Sequence, residues 1–437
     1  MTDLARRLGV FDATMIVMGG IIGAGIFISP YVVARHVHTP SLILGVWIAG
    51  GAIALIGAFV YAELAALRPE AGGVYAYLRD AFHPIVAFLF GWTLLLVVQA
   101  GGMAAVAVTF GLYLRDLTSI ALEPKTIAVI ALAALTIINC FGVRAGANVQ
   151  SAFMVLKIVA IAALVTIGWL AVGTTPTPVM GPLPTGNALA GFGAAMVPVL
   201  FAYGGWQTAS FVSEEMREPQ RDLPRAMLWG IIGVIVLYLA ANVVYVLVLS
   251  PAGLAATTTP ASEVMRRAAG ESGARFIALG IAISTIGFLS QGMLTAPRVY
   301  FAMARDGIFF RHVAWVHPRS RAPVYAIALQ GLWATVIALS GRYEQILNYV
   351  VAIDAVFFGL TGAALLVFRR REPSGAAGAL RAAARFRTPG HPWTTIMFIG
   401  AFWIVALNAV VQFPTSAGIG VLVLVAGVPV YLWWARR

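Results

Sequence analysis

Two apolar segments of this 437-residue chain are each broken by glycines, and these breaks are the residues best suited to bind a small molecule. One break lies within residues 19–27 and the other within residues 201–207, about half the chain away. A helix break inside a membrane leaves backbone N–H and C=O groups unpaired, and such groups are tolerated only where they face a cavity. The two breaks therefore predict a cavity at mid-membrane depth with a polar site made of backbone.

The first break is suited to an anion. Gly23, Ala24 and Gly25 open the backbone before a second half-helix, and Ile26 lies in the first turn of that half-helix. The first N–H groups of a helix have no partner within it, and the helix dipole places positive charge there. A single glycine in a membrane helix more often serves close packing, but one break in each half of the chain favours a binding site.

The backbone before each break is suited to a cation. Carbonyl groups end the first half-helices at Ile21 and Ile22, and again at Phe201 and Ala202. The last carbonyls of a helix have no donor within the helix. They would accept hydrogen bonds from an ammonium group without a buried counter-ion.

Aromatic residues surround the second break. Phe201, Tyr203 and Trp206 flank Gly204 and predict an apolar pocket for a ligand's side chain. Trp206 is also suited to an anchor at the membrane interface, where tryptophan is enriched. Gln207 follows the break, and its amide would either select ligands through a hydrogen bond or satisfy the local backbone.

Two ionisable residues lie in the middle of apolar segments, where a charge is costly and by default marks function. Lys157 is one of two lysines, against 27 arginines. It would either act in the site or extend its ammonium group to the nearer membrane surface. Asp354 has no basic residue within a turn on either side. Three roles for Asp354 are left open. Its carboxyl group would carry a proton and donate a structural hydrogen bond, or pair with a group on another helix, or take part in coupling transport to protons.

The elements that must position these residues are membrane spans. Hydrophobic residues make up 60% of the chain and charged residues 11%, with a mean hydropathy of +0.89, far more apolar than a soluble domain. A helical span needs roughly 20 apolar residues. Twelve segments qualify, of which the fourth and ninth are the shortest, centred in residues 18–28, 44–61, 85–108, 127–139, 153–170, 191–211, 229–249, 276–294, 324–339, 347–368, 396–411 and 419–433.

The basic residues predict the orientation of the spans. With both termini in the cytoplasm, 21 arginines fall on the cytoplasmic side and seven arginine or lysine residues in the outer loops. This threefold bias follows the positive-inside rule and supports an even number of spans. The net charge of +12 is thus explained by topology and not by nucleic-acid binding. We expect a multi-pass protein of the cell inner (plasma) membrane, in contact with membrane lipids.

Several kinds of chemistry lack the residues that they need. Cys140 is the only cysteine, so no internal disulfide is expected. The six histidines lie in or beside loops without metal-ligand spacing, and the sequence has no phosphate-binding loop. We therefore predict no metal, no cofactor and no catalytic residue. Residues 1–10 lead into the first span without the cleavage site of a signal peptide.

The order of the spans suggests an internal repeat. Spans 1–5, in residues 11–174, and spans 6–10, in residues 189–370, each begin with a broken segment. Because five is odd, the second unit enters the membrane from the opposite side, so the units would be inverted repeats, a pattern of secondary transporters. Residues 391–437 would add two C-terminal helices for scaffolding or dimer contacts, and a homodimer stays open.

Charged residues at the inner ends of spans predict ion pairs. Glu63 is expected to pair with cytoplasmic arginines. Glu214 and Glu215 could form an inner gate with Arg6 or Arg7, although surface charge clusters usually contribute little.

Three motifs resemble one known family. They are IIGAGIFISP at residues 21–30, PEAGGVYAY at residues 69–77, and FAYGGW at residues 201–206 together with FVSEEM at residues 211–216. In this order and at these span positions they resemble the amino acid–polyamine–organocation (APC) superfamily, and most closely bacterial members of its L-type amino acid transporter (LAT) family. The resemblance runs over nearly the whole chain.

The resemblance implies an all-α LeuT-type fold of about 12 transmembrane helices. Helices 1 and 6 would be unwound at the midplane, with alternating access to a central site. It also implies sodium-independent transport of amino acids, commonly by exchange. Relatives that carry a glycoprotein heavy chain bind it through a cysteine between spans 3 and 4. Residues 109–125 have none, so we expect no disulfide-linked heavy chain.

The resemblance further implies roles for single residues. It places an aromatic gate at Phe201. It gives Lys157 the position of a lysine that contacts helices 1 and 8 in sodium-independent members, where a fixed cation replaces the sodium ion of sodium-driven relatives. Proton coupling through Lys157 stays open. Ala24 stands where many relatives have serine, which leaves a bound carboxylate to backbone donors, and some relatives have asparagine in place of Asp354.

These observations predict a transporter and not an enzyme. An α-amino acid supplies both the carboxylate and the ammonium group that the breaks are suited to bind. We expect a sodium-independent exchanger or facilitator of neutral L-amino acids. The alternatives are a proton-coupled amino acid or polyamine transporter in which Lys157 or Asp354 titrates, a nutrient sensor without turnover, and a membrane-embedded enzyme.

Overall fold

The computed structural model describes residues 4–118, 121–172, 188–340, 343–371, 386–412 and 414–435. Within these ranges the chain is helical and has no β-strand. One isolated parallel bridge joins Leu8 to Met216. The predicted end of the first unit at residue 174 and the predicted end of the C-terminal segment at residue 437 lie outside the described residues.

The first half of the chain contains the first broken segment. A short π-helical stretch, Leu94–Val98, separates α5 from α6. The helices are α1 (Val10–Ile21), α2 (Gly25–His36), α3 (Pro40–Leu67), α4 (Val74–Ala81), α5 (Pro84–Thr93), α6 (Gln99–Thr118), α7 (Pro124–Cys140) and α8 (Val143–Leu170).

The second half contains the second broken segment. The 3₁₀ helices Trp206–Glu215 and Arg311–Ala314 follow α9 and α12 respectively. The α-helices are α9 (Ala188–Tyr203), α10 (Pro219–Ala256), α11 (Pro260–Thr295), α12 (Pro297–Arg305), α13 (Val324–Ser340), α14 (Tyr343–Arg370), α15 (Trp393–Gln412) and α16 (Pro414–Ala435).

Helix starts follow local chemistry. Proline occupies the first turn of α3, where its missing N–H group would be unpaired in any residue. The hydroxyl of Thr39 accepts a hydrogen bond from the Leu42 N–H group at 3.4 Å and caps the same helix. Proline also occupies the first turn of α5, α7, α10, α11 and α12.

Eight described helical segments are long and apolar enough to cross a membrane, and each corresponds to a predicted span. The two spans predicted as shortest correspond to α7 and α13, which have 17 residues each. The predicted sixth span corresponds to α9 with the 3₁₀ helix, and the tenth to α14. The eight segments are Val10–His36, Pro40–Leu67, Pro84–Arg115, Val143–Leu170, Pro219–Ala256, Pro260–Arg305, Trp393–Val411 and Ala417–Trp434.

The bundle has two faces, which we name by their residues. The proximal face includes Leu8, Met216 and the ion pair between Glu63 and Arg369. The distal face includes the end of α2 at His36 and the end of α10, where Arg35 donates to the Ala255 carbonyl at 2.9 Å. The described ends of the chain both lie on the proximal face, because α1 starts there and α16 returns to it.

The broken segments lie at the centre of the bundle. The helix α1 packs against α8 and α10, while α2 packs against α9, α10 and α11. The long helices α3 and α10 pack together on one side, and α8 packs against α11 on another. This arrangement surrounds both breaks with protein, so their unpaired backbone groups do not face lipid.

Candidate binding site

The two breaks contact each other through backbone. A Cβ atom added to Gly20 would lie 2.6 Å from the Gly205 carbonyl oxygen, and one added to Gly25 would lie 3.0 Å from the Ala202 Cα atom. Gly205 has φ +115°, a backbone conformation that disfavours every residue with a side chain. A Cβ atom there would also overlap the Gly20 carbonyl. Glycine at these positions thus permits the contact.

A cavity of about 150 Å³ lies between the breaks. Of the eleven residues predicted to bind substrate, seven line it: Gly23, Ala24, Gly25, Phe201, Ala202, Gly204 and Gln207. The remaining four, Ile22, Ile26, Tyr203 and Trp206, are fully buried behind the cavity wall.

The cavity extends from the breaks towards the distal face. Val106 on α6, Val197 on α9 and Val405 on α15 line its distal part. Phe201 is the most exposed lining residue, with 43% of its surface accessible. Phe201 thus lines the cavity and is also exposed outside it, and its role as an aromatic gate stays a prediction.

The anion-binding end of the site is the N-terminus of α2. Ala24 precedes this helix and provides no side-chain cap. The Ala24 carbonyl accepts hydrogen bonds from the N–H groups of Phe27 and Ile28, at 3.1 and 3.2 Å, which begins the helix. The N–H groups of Gly25 and Ile26, at the start of the first turn, have no acceptor in the part of the chain that the structure describes, so they remain available to a ligand.

The carbonyl groups predicted to bind a cation are held by protein donors. The Tyr238 hydroxyl shares its one proton between the Ile21 carbonyl at 3.1 Å and the Ala202 carbonyl at 3.3 Å, and so bridges the two breaks. The Phe201 carbonyl accepts from the Gly204 N–H group at 3.1 Å. Each carbonyl oxygen has two lone pairs, so these contacts fix the carbonyl directions and leave acceptor capacity for an ammonium group.

Lys157 points into the first break. Its ammonium group donates to the Ile22 carbonyl at 2.5 Å and to the Gly19 carbonyl at 3.4 Å, and the side chain is fully buried. Among the described residues no carboxylate pairs with it. Gly287 on α11 makes room for it, because a Cβ atom there would lie 2.7 Å from the Lys157 Cε atom. The lysine thus contacts the first broken segment and α11, and does not extend to a membrane surface.

Asp354 lines the cavity from α14. No hydrogen bond or ion pair of its carboxyl group is found in the part of the chain that the structure describes. The carboxyl group therefore faces the cavity without a hydrogen bond or ion pair to any described residue, and the Tyr61 hydroxyl interacts with it electrostatically. Its predicted coupling role stays a prediction.

Aromatic rings form the layer behind the second break. The Trp206 ring lies 5.3 Å from the Phe358 ring and 6.3 Å from the Phe402 ring, centroid to centroid. The Tyr203 ring lies 5.1 Å from the Tyr238 ring. Because Phe358 and Phe402 line the cavity, Trp206 supports the apolar wall from behind.

Sequence reasoning missed several polar residues of the site. Gln291 on α11 lines the cavity and donates a hydrogen bond to the Thr208 hydroxyl, which donates to the Gly205 carbonyl at 2.7 Å. Gln99 lines the cavity from α6. The signal was present in the sequence, since an amide in an apolar span is rare and usually faces the bundle interior.

The proximal side of the site is closed by charged groups. Glu215 pairs with Arg298 at 2.6 Å, and both side chains are fully buried. Glu214 pairs with Arg305 at 2.9 Å. The expected partners were Arg6 or Arg7, but only the Arg7 backbone N–H group contacts this region, through the Glu215 carbonyl at 2.9 Å. The expectation of a side-chain pair with Arg6 or Arg7 was therefore wrong.

Two further groups of charges join the proximal ends of the helices. Glu63 pairs with Arg369 at 2.6 Å, as predicted. Arg79 on α4 pairs with Glu70, Asp80 and Asp306 at 2.7, 2.8 and 2.6 Å. Burial alone lowers the pKa of Arg79, but hydrogen bonds to the three carboxylates outweigh burial and raise that pKa above its usual value.

Comparison with known proteins identifies the family. The model of the amino acid permease family matches residues 8–433. The chain belongs to this family. It is accordingly a multi-pass membrane protein of the APC superfamily, with the LAT-type relatives that its motifs indicated.

Three relatives illustrate the match. "Large neutral amino acids transporter small subunit 2" of Mus musculus is 31% identical, over 99% of this chain and 82% of the relative. "Serine/threonine exchanger SteT" of Bacillus subtilis is 30% identical, over 99% of this chain and 98% of the relative. "b(0,+)-type amino acid transporter 1" of Oryctolagus cuniculus is 32% identical, over 84% of this chain and 77% of the relative. These names are of transporters, which confirms the prediction of a transporter and not an enzyme.

Proposed function

We propose that this amino acid permease is a sodium-independent exchanger or facilitator of neutral L-amino acids that works by alternating access. The observation that carries the proposal is the contact between the breaks. It places the uncapped N-terminus of α2 beside the carbonyl ends of α1 and α9, across one cavity. An α-carboxylate is stabilised at the first, and an α-ammonium group at the second.

The relatives support the neutral substrate and the exchange mode. The mouse relative is named for large neutral amino acids, and the Bacillus relative for exchange of serine and threonine. The cavity wall supports the same substrate class, because Leu94, Val98, Phe288, Phe358 and Phe402 provide apolar surface for a side chain.

Lys157 supports sodium independence. Its ammonium group is a fixed cation bound to two carbonyls of the first break. Carbonyl oxygens are also the groups that bind a sodium ion at such a break in other transporters. We infer that Lys157 occupies the position of that ion and holds the break open without it.

The proposed architecture is a LeuT-type fold of 12 membrane helices. Inverted five-helix units would occupy residues 11–174 and 189–370, and residues 391–437 would add two helices. In its support, one broken segment stands near the start of each unit and the two breaks contact each other.

We further propose that the proximal face is cytoplasmic, in the inner (plasma) membrane of the cell. The arginine bias supports this orientation. The cavity would then be open to the outside, with the inner side closed by the Glu215–Arg298 pair. Cys140 lies at the proximal end of α7, so it is not placed for a disulfide with an external heavy chain. Membrane lipids are the remaining proposed partners, with a homodimer as the alternative to a monomer.

Uptake into liposomes tests the proposal. The purified protein is reconstituted with and without internal amino acid, and uptake of radiolabelled amino acids is measured in sodium-free buffer. We expect uptake of neutral L-amino acids that internal amino acid stimulates. Gly25→Leu should abolish uptake, because a side chain there overlaps Ala202. Gly418→Leu on α16, where an added Cβ atom meets nothing within 4 Å, is the matched control. Sodium-dependent uptake, or none by the wild type, would refute the proposal.

A proton-coupled amino acid or polyamine transporter is the second candidate. The observation that favours it is the carboxyl group of Asp354, which faces the cavity without a described partner. An ionisable group inside a membrane protein that faces a cavity is a common element of proton relays. Uptake that requires an imposed pH gradient, and that loses this requirement in Asp354→Asn, would favour the second candidate over the first.

A further inference from the structure

We propose that Asp354 and Gln207 form a side-chain subsite for amino acids whose side chain carries a hydroxyl or carboxamide group. The inference deepens the proposed function and rests on it. It assigns the two residues a role in choosing among neutral substrates, which the backbone groups of the breaks cannot do because every α-amino acid presents the same carboxylate and ammonium group.

The position of the two residues is the first argument. Both line the central cavity and also a second, smaller cavity of about 10 Å³ on its proximal side. Leu94 and Phe358 are shared by the two cavities as well. The two polar residues therefore lie where the cavities adjoin. A space of this size holds about one water molecule or one terminal group of a side chain.

The end of the smaller cavity is closed by aromatic rings. The Phe90 ring lies 6.2 Å from the Phe211 ring and 5.4 Å from the Phe357 ring, centroid to centroid. All three residues line the smaller cavity. A side chain that enters from the central cavity thus ends against these rings, with its terminal group beside Asp354 and Gln207.

The hydrogen-bonding capacity of the pair decides the chemistry of the ligand. The Gln207 Oε1 atom accepts a hydrogen bond from the Gly205 N–H group at 3.0 Å, which leaves the amide NH₂ group as a donor. Asp354 offers carboxyl oxygens as acceptors. A hydroxyl or carboxamide group both donates and accepts, so it matches both residues at once. An ammonium group only donates and leaves the Gln207 donor unmatched.

The second argument is that Asp354 makes no hydrogen bond or ion pair in the described part of the chain, where the Tyr61 hydroxyl interacts with it only electrostatically. Across the described ranges no basic side chain reaches it, and the ammonium group of Lys157 is directed to Gly19 and Ile22. Asp354 and Gln207 are partly exposed, and a ligand that fills the cavity displaces the water around them. Polar groups that lose water in this way nearly always need a hydrogen-bond partner. A ligand donor would supply one, whereas a purely aliphatic side chain would leave Asp354 and Gln207 unpaired.

The subsite also lies next to the proposed main-chain site. Gln207 follows Gly205 by two residues, and Gly205 contacts Gly20 in the first break. A substrate held by its carboxylate and ammonium group at the breaks can therefore place its side chain between the 3₁₀ helix Trp206–Glu215 and α14 without leaving the cavity. Sites that bind a polar substrate group reject analogues that lack it, because their own polar groups lose a partner.

Binding of shape-matched amino acid pairs to the purified full-length protein tests the proposal. The pairs are threonine with valine, asparagine with leucine, and glutamine with methionine, measured by isothermal titration in sodium-free buffer. We expect the polar member to bind about tenfold more tightly in at least one pair. Asp354→Leu should reduce that ratio to about one, chiefly by weakening the polar member.

Asp354→Asn is the matched variant, because it keeps an acceptor oxygen and removes the ionisable proton. The subsite predicts that this variant keeps the polar preference within about threefold, even if it changes the response of uptake to pH. It also shows that the position tolerates substitution, should Asp354→Leu fail to fold.

Three results would overturn the subsite. One is a wild type that binds the aliphatic member of every pair as tightly as the polar member. The second is a polar preference that Asp354→Leu leaves unchanged, and the third is a preference that Asp354→Asn abolishes. If none of the six amino acids bound to the wild type, the proposed function would fail and the subsite with it. Binding of all six without preference would overturn the subsite alone.

Discussion

The backbone of Gly20 lies against the backbone of Gly205, so the two broken segments of this permease meet at residues without side chains. The contact joins elements that are far apart in the sequence and brings the ends of four half-helices to one cavity. A relative shift of one broken segment would carry the other with it. The geometry of the binding site therefore depends on this contact, together with the contact of Gly25 with Ala202.

Gly205→Ala should abolish substrate binding. The added Cβ atom would overlap the Gly20 carbonyl, and the left-handed φ of +115° costs a non-glycine residue roughly 1–2 kcal/mol. Equilibrium binding of a transported amino acid, with size-exclusion chromatography to verify folding, measures the effect. Gly193→Ala on α9, the helix before the second break, is the control, because its Cβ atom would meet nothing within 4 Å. Equal binding by both variants would show that the contact is dispensable.

The sequence contained enough information to predict the breaks and the spans. A glycine-rich interruption in an apolar segment is local, and so is the run of apolar residues that makes α3 or α8 a span. The buried charge of Lys157 was equally visible, because one ammonium group among apolar residues stands out without any knowledge of the fold.

The partners of these groups could not be predicted, because they come from distant helices. Tyr238 fixes the Ile21 carbonyl from α10, more than 200 residues away in the sequence. The partner of Glu215 is Arg298 and not a residue of the N-terminal segment, a choice that only the packing of α12 against the 3₁₀ helix decides. Sequence patterns identify which groups need partners, and tertiary packing decides which partners they obtain.

Lys157→Ala should lower the uptake rate at least about tenfold while the protein still folds. The substitution leaves the Ile22 and Gly19 carbonyls without their donor and removes the fixed cation from the break. Uptake into liposomes in sodium-free buffer provides the measurement. Lys125→Ala is the control, since Lys125 is the other lysine and its exposed ammonium group only contacts the Leu339 carbonyl at 3.3 Å.

A second variant separates the charge of Lys157 from its placement. Gly287→Ala keeps the lysine but places a Cβ atom 2.7 Å from the present position of its Cε atom, so the ammonium group must move. We expect uptake to fall here as well. Unchanged uptake and pH dependence in Lys157→Ala would contradict the ion-replacement role altogether.

Gly102→Cys should react with a membrane-impermeant thiol reagent that is added from outside. Gly102 lines the cavity on α6, and a side chain there would meet no atom within 4 Å. The natural thiol is removed by Cys140→Ser, which leaves one reactive group. The measurement is the labelling rate in right-side-out vesicles, and a saturating transported amino acid should slow it several-fold by filling the cavity. Labelling only from the inside would reverse the proposed orientation.

Glu215 and Arg298 should contribute more to stability through their contact than any exposed pair of this protein. Both side chains are fully buried and lie 2.6 Å apart, so removing one leaves the other as an uncompensated charge. We expect Glu215→Gln or Arg298→Gln to lower the free energy of unfolding by about 3–5 kcal/mol. The control is Glu218→Gln in the exposed Glu218–Arg221 pair. This substitution should change the free energy of unfolding by about 0–1 kcal/mol.

The double variant Glu215→Leu with Arg298→Met tests whether the loss comes from the stranded charge. Two apolar side chains of similar volume remove both charges, so the double variant should be more stable than either single variant, measured by denaturant unfolding in detergent. Its uptake should still fall, because the pair closes the proximal side of the cavity and an inner gate must reopen and close in each transport cycle. A double variant as unstable as the single variants would mean that shape, and not charge, determines the packing of α12 against the 3₁₀ helix.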